Sequence, residues 1–157
     1  MVYLALVSFA CFLVGRLLPA EWFRADCFPF RTFLFEKKGR IYEKLHIRRW
    51  QNRLPDMSRI LPGSMPPKRL ESDYRERLPE LIRETCVAEL IHGILCILGL
   101  WCIKKWKGIG GWILAGLNLL GNAAYILIQR YNRPRLVRLL EKCTVAQVRL
   151  KECGKSA

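Results

Sequence analysis

The chain has 157 residues, more than half of them apolar, and a formal net charge of +14. Its length suits one domain, and soluble domains rarely combine so much apolar residue with so much charge. Nucleic-acid binders reach such a charge without long apolar runs, whereas a membrane protein reaches both by separating them along the chain.

Residues 1–18, beginning "MVYLALVSFACFLVGRLL", are apolar almost throughout. A cleaved signal peptide is the competing reading, but no Lys or Arg precedes the run and no small-x-small cleavage site follows it cleanly. The expectation is a retained transmembrane anchor, with Arg16 snorkelling to the interface.

Residues 19–85 form a polar middle with fifteen of the 27 basic and ten of the 13 acidic residues. Its first part, "FPFRTFLFEKKGRIYEKLHIRRWQNRL", is aromatic and basic together. On a helix, Lys37, Arg40, Lys44 and Arg48 would share one stripe. A hairpin turning at "KKG" competes with that helix. Phe28, Phe30, Phe33 and Phe35 suit the headgroup zone, so this stretch reads as an amphiphilic interfacial segment. Residues 54–69 hold Pro55, Pro62, Pro66 and Pro67 and are expected to be irregular. Ser72 and Asp73 are candidate caps of a new helix, and Pro79 is tolerated near its start. From there no breaker appears before Ile103.

Residues 86–103 and 109–128 are each long and apolar enough to cross a bilayer. The short "KKWKGIGG" between them predicts a helical hairpin over 86–128. Three Lys lie in 104–107, while fifteen basic residues lie in 19–85 and eight follow Ile128. The positive-inside rule puts the 19–85 loop and the 129–157 tail in the cytoplasm, with the N-terminus and the 104–107 turn outside. The fold class is therefore an all-α, multi-pass membrane protein of about three transmembrane helices plus the interfacial segment. Seven cysteines, an odd number without CxxC spacing, read as packing residues and reduced thiols.

Glu89 and His92 are ionisable residues inside an apolar span, where such groups are costly and usually paired. Their spacing puts them on one helix face, with Thr85 a turn earlier and Cys96 a turn later. This pattern suits a His general base oriented by a carboxylate. It also suits neighbouring helices tied by hydrogen bonds, or a di-metal bundle. The only other histidine is His46, so no metal and no cofactor are expected. In the next span Asn118, Asn122, Tyr125 and Gln129 recur at spacings of four, three and four, one polar stripe that faces either another helix or a cleft. Arg130, Tyr131, Asn132, Arg133 and Arg135 follow, and Pro134 is expected to end or kink the helix. Guanidinium forks grip phosphate or carboxylate, and they also serve as a plain topological anchor. There is no GxSxG, no phosphate-binding glycine loop and no zinc pattern. His46 and Asp56 are ten residues apart, so the His-x4-Asp pattern of many glycerolipid acyltransferases is missing.

The ordered set "FEKKGRIYEKLHIRRW" (35–50), "LPD" (54–56), "ETCVAELIH" (84–92) and "NAAYILIQRYNRPRL" (122–136) resembles the glycosyl-4,4′-diaponeurosporenoate acyltransferase family. These are small bacterial membrane proteins linked to the last step of staphyloxanthin-type carotenoid synthesis. The resemblance covers roughly residues 28–140. It implies transfer of a fatty acyl group from an acyl donor to a hydroxyl of a glycosylated carotenoid or a similar lipid-like acceptor. By that resemblance His92 is the base and Glu89 its partner. Arg130, Arg133 and Arg135 hold the donor phosphate or the acceptor headgroup. Asn122, Gln129 and Asn132 donate hydrogen bonds to an oxyanion or a sugar. Glu36, Lys44, Trp50 and Asp56 close the site from the cytoplasmic side. Apart from the resemblance, the company of Gln129, Tyr131, Asn132 and Pro134 fits a shaped pocket better than a plain anchor. The alternative is a non-catalytic membrane scaffold or lipid-binding subunit whose basic face holds membrane lipids. Nucleic acid is not an expected partner, because the charge is tied to membrane flanks and no aromatic stacking platform accompanies it.

Overall fold

The structure, a computed structural model, describes residues 2–54 and 74–153. Asp56, most of the proline-rich 54–69 connection and the candidate caps Ser72 and Asp73 lie outside the described residues, as do the side chains of Arg16 and Lys37. The described residues form helices and turns, with no strand among them. In chain order the α-helices are α1 (Val2–Leu17), α2 (Ile47–Trp50), α3 (Tyr74–Gly99), α4 (Trp101–Lys105) and α5 (Ile109–Cys153). Shorter 3-10 turns occupy Ala20–Trp22, Leu34–Leu45 and Gln51–Arg53.

Helices α3 and α5 make the most extensive contact of the fold. They run antiparallel: Asn118 reaches Leu95, Asn122 reaches His92, and Arg133 reaches Thr85. The turn between α4 and α5 uses Gly108 at φ 94, a conformation that favours glycine. Helix α1 lies against α3 where Gly15 meets Val87 and Ile91. A Cβ at position 15 would sit 2.5 Å from Ile91 Cδ1, so a larger residue there would have to displace the Ile91 side chain.

The segment between α1 and α3 is fastened by two small apolar clusters. Phe23 and Phe30 pack with Cys86 of α3, and Tyr42 and Ile47 pack with Tyr131 of α5. Full burial of a residue such as Ile47 stabilises by about 1.5–3 kcal/mol. These contacts seat the segment against the middle of the two long helices, at Cys86 and Tyr131.

Helices α3 and α5 have 26 and 45 residues. At 1.5 Å per residue they are about 39 and 68 Å long, more than the ~30 Å of a hydrocarbon core. Two helices are therefore long and apolar enough to cross a membrane, and their most apolar stretches are only 22% and 11% buried. Ile97 on α3 and Ile109, Trp112, Ile113, Leu117 and Leu120 on α5 all point outward. A core helix of a soluble protein would bury such residues. Helix α1 has 16 residues and is apolar but shorter, about 24 Å by the same rise. It exposes Leu6, Phe9, Leu13 and Leu17.

Four local expectations need correction. No hairpin forms at "KKG", and no regular α-helix carries a Lys37–Arg48 stripe. The run Leu34–Leu45 is made of 3-10 turns, with Gly39 at φ 87 and His46 at φ 50 resetting the chain before α2. The helix from Tyr74 stops at Gly99, and α4 resumes at Trp101, so the pattern to Ile103 is not one helix. Pro134 does not end α5, which continues to Cys153. An interior proline removes the bond to the carbonyl four residues earlier, here Arg130, and costs about 3 kcal/mol. Around this position Arg130, Arg133 and Arg135 are each tied to other parts of the chain. Gly39 packs on this spot: a Cβ there would lie 3.2 Å from Pro134 Cγ and 3.5 Å from the Tyr131 carbonyl oxygen.

Candidate functional site

Two polar constellations bridge α3 and α5. The first is a four-membered ion frame. Arg130 donates from Nε to Glu89 Oε1 at 3.0 Å, from Nη1 to Glu36 Oε1 at 2.9 Å and from Nη2 to the Pro29 carbonyl at 3.1 Å. Arg133, one turn on, donates to Glu89 Oε2, to Thr85 Oγ1 at 2.9 Å, to the Thr85 carbonyl at 2.9 Å and to the Phe30 carbonyl at 2.6 Å. At least four of its five N–H donors are therefore engaged within the chain. The guanidinium planes also lie over rings, Arg130 over Phe33 at 4.7 Å and Arg133 over Phe30 at 5.6 Å.

Glu36 is 1% exposed and Arg133 is 2% exposed, so the frame is buried. Two carboxylates and two guanidinium groups cancel; Glu89 is held by both arginines, and Glu36 is hydrogen-bonded as well as paired. That is the condition under which a buried ion pair holds. Glu36 accepts from the Phe33 N–H at 2.8 Å, half of a capping box that starts the 3-10 run. It also accepts from the Tyr42 hydroxyl. Burial raises the Tyr42 pKa above the ordinary tyrosine value, and the bond to Glu36 raises it further.

The second constellation lies deeper in the helix pair. His92 Nδ1 is 2.8 Å from Asn122 Oδ1, and the ring stacks on Tyr125 with centroids 4.5 Å apart and planes 4° from parallel. Asn122 Nδ2 donates to the Asn118 carbonyl at 2.9 Å and to Asn118 Oδ1 at 3.1 Å. Asn118 Nδ2 donates across the interface to the Leu95 carbonyl at 3.0 Å. Eight residues of helix separate Asn122 from Arg130, an axial distance of about 12 Å.

Glu89 and His92 do share the face of α3 that meets α5. Glu89, expected beside His92 as its orienting carboxylate, has both oxygens engaged by Arg130 and Arg133. Asn122 Oδ1, from the opposite helix, lies within hydrogen-bond distance of His92 Nδ1. Arg130 and Arg133, expected to grip a phosphate, bind carboxylates and carbonyls of the chain itself. Arg135 pairs with the exposed Glu43 at 2.9 Å and lies 3.6 Å over the Tyr131 ring. Asn132 donates to Gln51 Oε1 at 3.3 Å. Trp50 donates to the Leu45 carbonyl at 3.0 Å and packs in the Tyr42–Ile47–Tyr131 cluster. Gln129 is buried and Lys44 is exposed. Glu36 joins Glu89 and Arg130 across the fold. Asp56 lies outside the described residues.

Sequence reasoning missed Tyr42 and Gly99 and gave Phe30 and Phe33 only an interfacial role. Tyr42, Phe30 and Phe33 sit in the aromatic run, whose spacing shows no helical face. At Gly99 an added Cβ would collide with the Asn118 amide, so this glycine makes room for the second constellation.

The profile of the glycosyl-4,4′-diaponeurosporenoate acyltransferase family matches residues 19–142, which include both constellations. Glycosyl-4,4′-diaponeurosporenoate acyltransferases of Staphylococcus aureus strains Newman and COL are each 31% identical to this chain over 128 residues. Those residues are 81% of this chain and 77% of each relative. No solved structure matches.

Proposed function

We infer the function from membership: the chain belongs to the glycosyl-4,4′-diaponeurosporenoate acyltransferase family, and it is a membrane-embedded acyltransferase. It moves a fatty acyl group to a hydroxyl of a glycosylated carotenoid or a similar lipid-like acceptor. The single observation that carries the chemistry is His92. It is a titratable ring among apolar residues, hydrogen-bonded and stacked against the opposite helix.

A ring nitrogen of His92 takes the proton of the acceptor hydroxyl as that oxygen bonds to the acyl carbonyl carbon. The resulting imidazolium returns the proton to the leaving group as the bond from the carbonyl carbon to that group breaks. Glu36, Glu89, Arg130 and Arg133 form the rigid frame that fixes α3, α5 and the aromatic segment around this step. Because the frame is neutral and self-satisfied, donor phosphate falls to the exposed Lys44 and to Arg135, whose pair with Glu43 lies at the surface and can be exchanged. Gln129, Tyr131, Asn132 and Trp50 are assigned to the sugar and headgroup, and the same role is proposed for Asp56 from the family resemblance.

The membrane arrangement has three spans. Helix α1 joins the α3–α5 hairpin, the N-terminus and the 104–107 turn face outward, and the basic loop and tail are cytoplasmic. The outward apolar side chains of all three helices support it. In water those surfaces would be costly, and in lipid they are not. The test is lipid extraction and mass spectrometry of cells that make a glycosylated carotenoid, with and without this chain. A fatty ester found only with the chain supports the reading, and identical lipid profiles reject it.

A further inference from the structure

We propose that Asn122, itself held by Asn118, fixes the tautomer and orientation of His92, so that Nδ1 carries the proton and Nε2 the lone pair. The proposal rests on the reading of His92 as the general base. It makes Asn122 and Asn118 positioning residues and takes Asn122 away from the substrate.

The argument is one of donor and acceptor polarity along the chain of amides. Asn118 Nδ2 donates to the Leu95 carbonyl at 3.0 Å, which turns its Oδ1 the other way. That oxygen accepts from Asn122 Nδ2 at 3.1 Å, and the Asn118 carbonyl accepts from the same nitrogen at 2.9 Å. With its nitrogen committed as a donor to two oxygens, Asn122 presents Oδ1 to His92. An amide oxygen has no hydrogen to give, so Nδ1 at 2.8 Å is the donor. In neutral imidazole the second nitrogen then holds the lone pair. Tyr125 supplies the other constraint. Its ring, 4.5 Å away and 4° from parallel, sets the plane of the imidazole, and the hydrogen bond sets rotation within that plane.

A neutral amide suits the place. A carboxylate there would place a charge beside His92, away from the paired arginines, where such groups are costly. The bond also has the same polarity before and after proton transfer, because Nδ1–H donates in both imidazole and imidazolium. The base therefore keeps its aim through the reaction. Gly99 belongs to the device, since a side chain there would displace the Asn118 amide from Leu95.

The chain has two histidines, so His46→Gln leaves His92 as the only one. Nitrogen-15 NMR of histidine-labelled His46→Gln protein in nanodiscs, at a pH that keeps the ring neutral, reads the tautomer directly. The expected spectrum has a protonated Nδ1 and an unprotonated Nε2. Adding Asn122→Leu is expected to mix the tautomers. In the otherwise wild-type chain, Asn122→Leu is expected to lower kcat by up to about 10²-fold with little change in KM, as for a misaimed catalytic group. Should Asn122→Leu fail to fold, Asn122→Ala carries the same test, because it too removes the Oδ1 that faces His92 Nδ1. A protonated Nε2 in the parent overturns the proposal, and so does a tautomer that neither asparagine substitution alters. Failure of the base assignment looks different: His92→Gln would keep its activity while the Nδ1–H signal stood as expected.

Discussion

Glu89→Gln separates a structural from a chemical role for the carboxylate once expected beside His92. In the wild type, Glu36 and Glu89 balance Arg130 and Arg133, with distances of 2.9 and 3.0 Å for the two Arg130 pairs. The side chains of Glu36 and Arg133 are 2% and 3% exposed, so solvent screens them little. Glutamine keeps the size and one acceptor but removes the charge, leaving one uncompensated guanidinium. Breaking a buried pair from one side costs about 3–5 kcal/mol. For a chain of this length each kcal/mol moves Tm by about 2–4 °C, so Tm is expected to fall by roughly 6–20 °C. The assay is thermal unfolding of the detergent-solubilised protein, with acyl transfer measured at a temperature where both forms are folded. Adding Arg133→Met to Glu89→Gln restores neutrality and is expected to recover part of the loss, the coupling that a double-mutant cycle detects. If Glu89→Gln left Tm unchanged but abolished transfer, Glu89 would act on the chemistry and the frame would be a misreading.

Three further outcomes follow from the geometry. Gly39→Ala forces a side chain into φ 87 and within 3.2 Å of Pro134 Cγ, and it is expected to destabilise by roughly 1–2 kcal/mol; unchanged thermal unfolding would show that the chain does not hold that conformation. Tyr42 has a folded pKa above its unfolded value of about 10, so its contribution is complete below that pH and declines as pH rises beyond it. Unfolding measured from pH 8 to 11 is expected to show this decline in the wild type and a flatter curve in Tyr42→Phe. Cysteine labelling of a cysteine-free background is expected to reach the 104–107 turn and the C-terminal tail from opposite sides of the membrane; labelling from one side contradicts the three-span arrangement.

The long helices were legible because apolar runs of span length need no tertiary knowledge. So was the polar stripe, since Asn118, Asn122, Tyr125 and Gln129 share a face by helical spacing alone. What the stripe meets was less legible. Glu89 and His92 lie three residues apart on one face, yet they meet different partners because α5 presents Arg130 to one and Asn122 to the other, two turns apart. That register depends on how two helices slide past each other, which local pattern does not encode. Glu36 and Arg130 are 94 residues apart in sequence, so their pairing appears only in the fold. The 3-10 run was hidden for a local reason: Gly39 at φ 87 and His46 at φ 50 interrupt every regular period. The pattern around Pro134 allows an end or a kink, and α5 runs on through it to Cys153.

The central claim is that this chain esterifies a glycosylated acceptor with His92 as its base. It is tested most directly in membranes supplied with a glycosylated carotenoid and carrying equal amounts of wild-type, His92→Gln or His46→Gln protein, with the lipid extract read by mass spectrometry. The account predicts a fatty ester of the acceptor with the wild type and with His46→Gln. It predicts a loss of about 10²–10⁴-fold in its rate of formation with His92→Gln, as removal of a general base costs. Equal ester from wild-type and His92→Gln protein, or loss confined to His46→Gln, would contradict it.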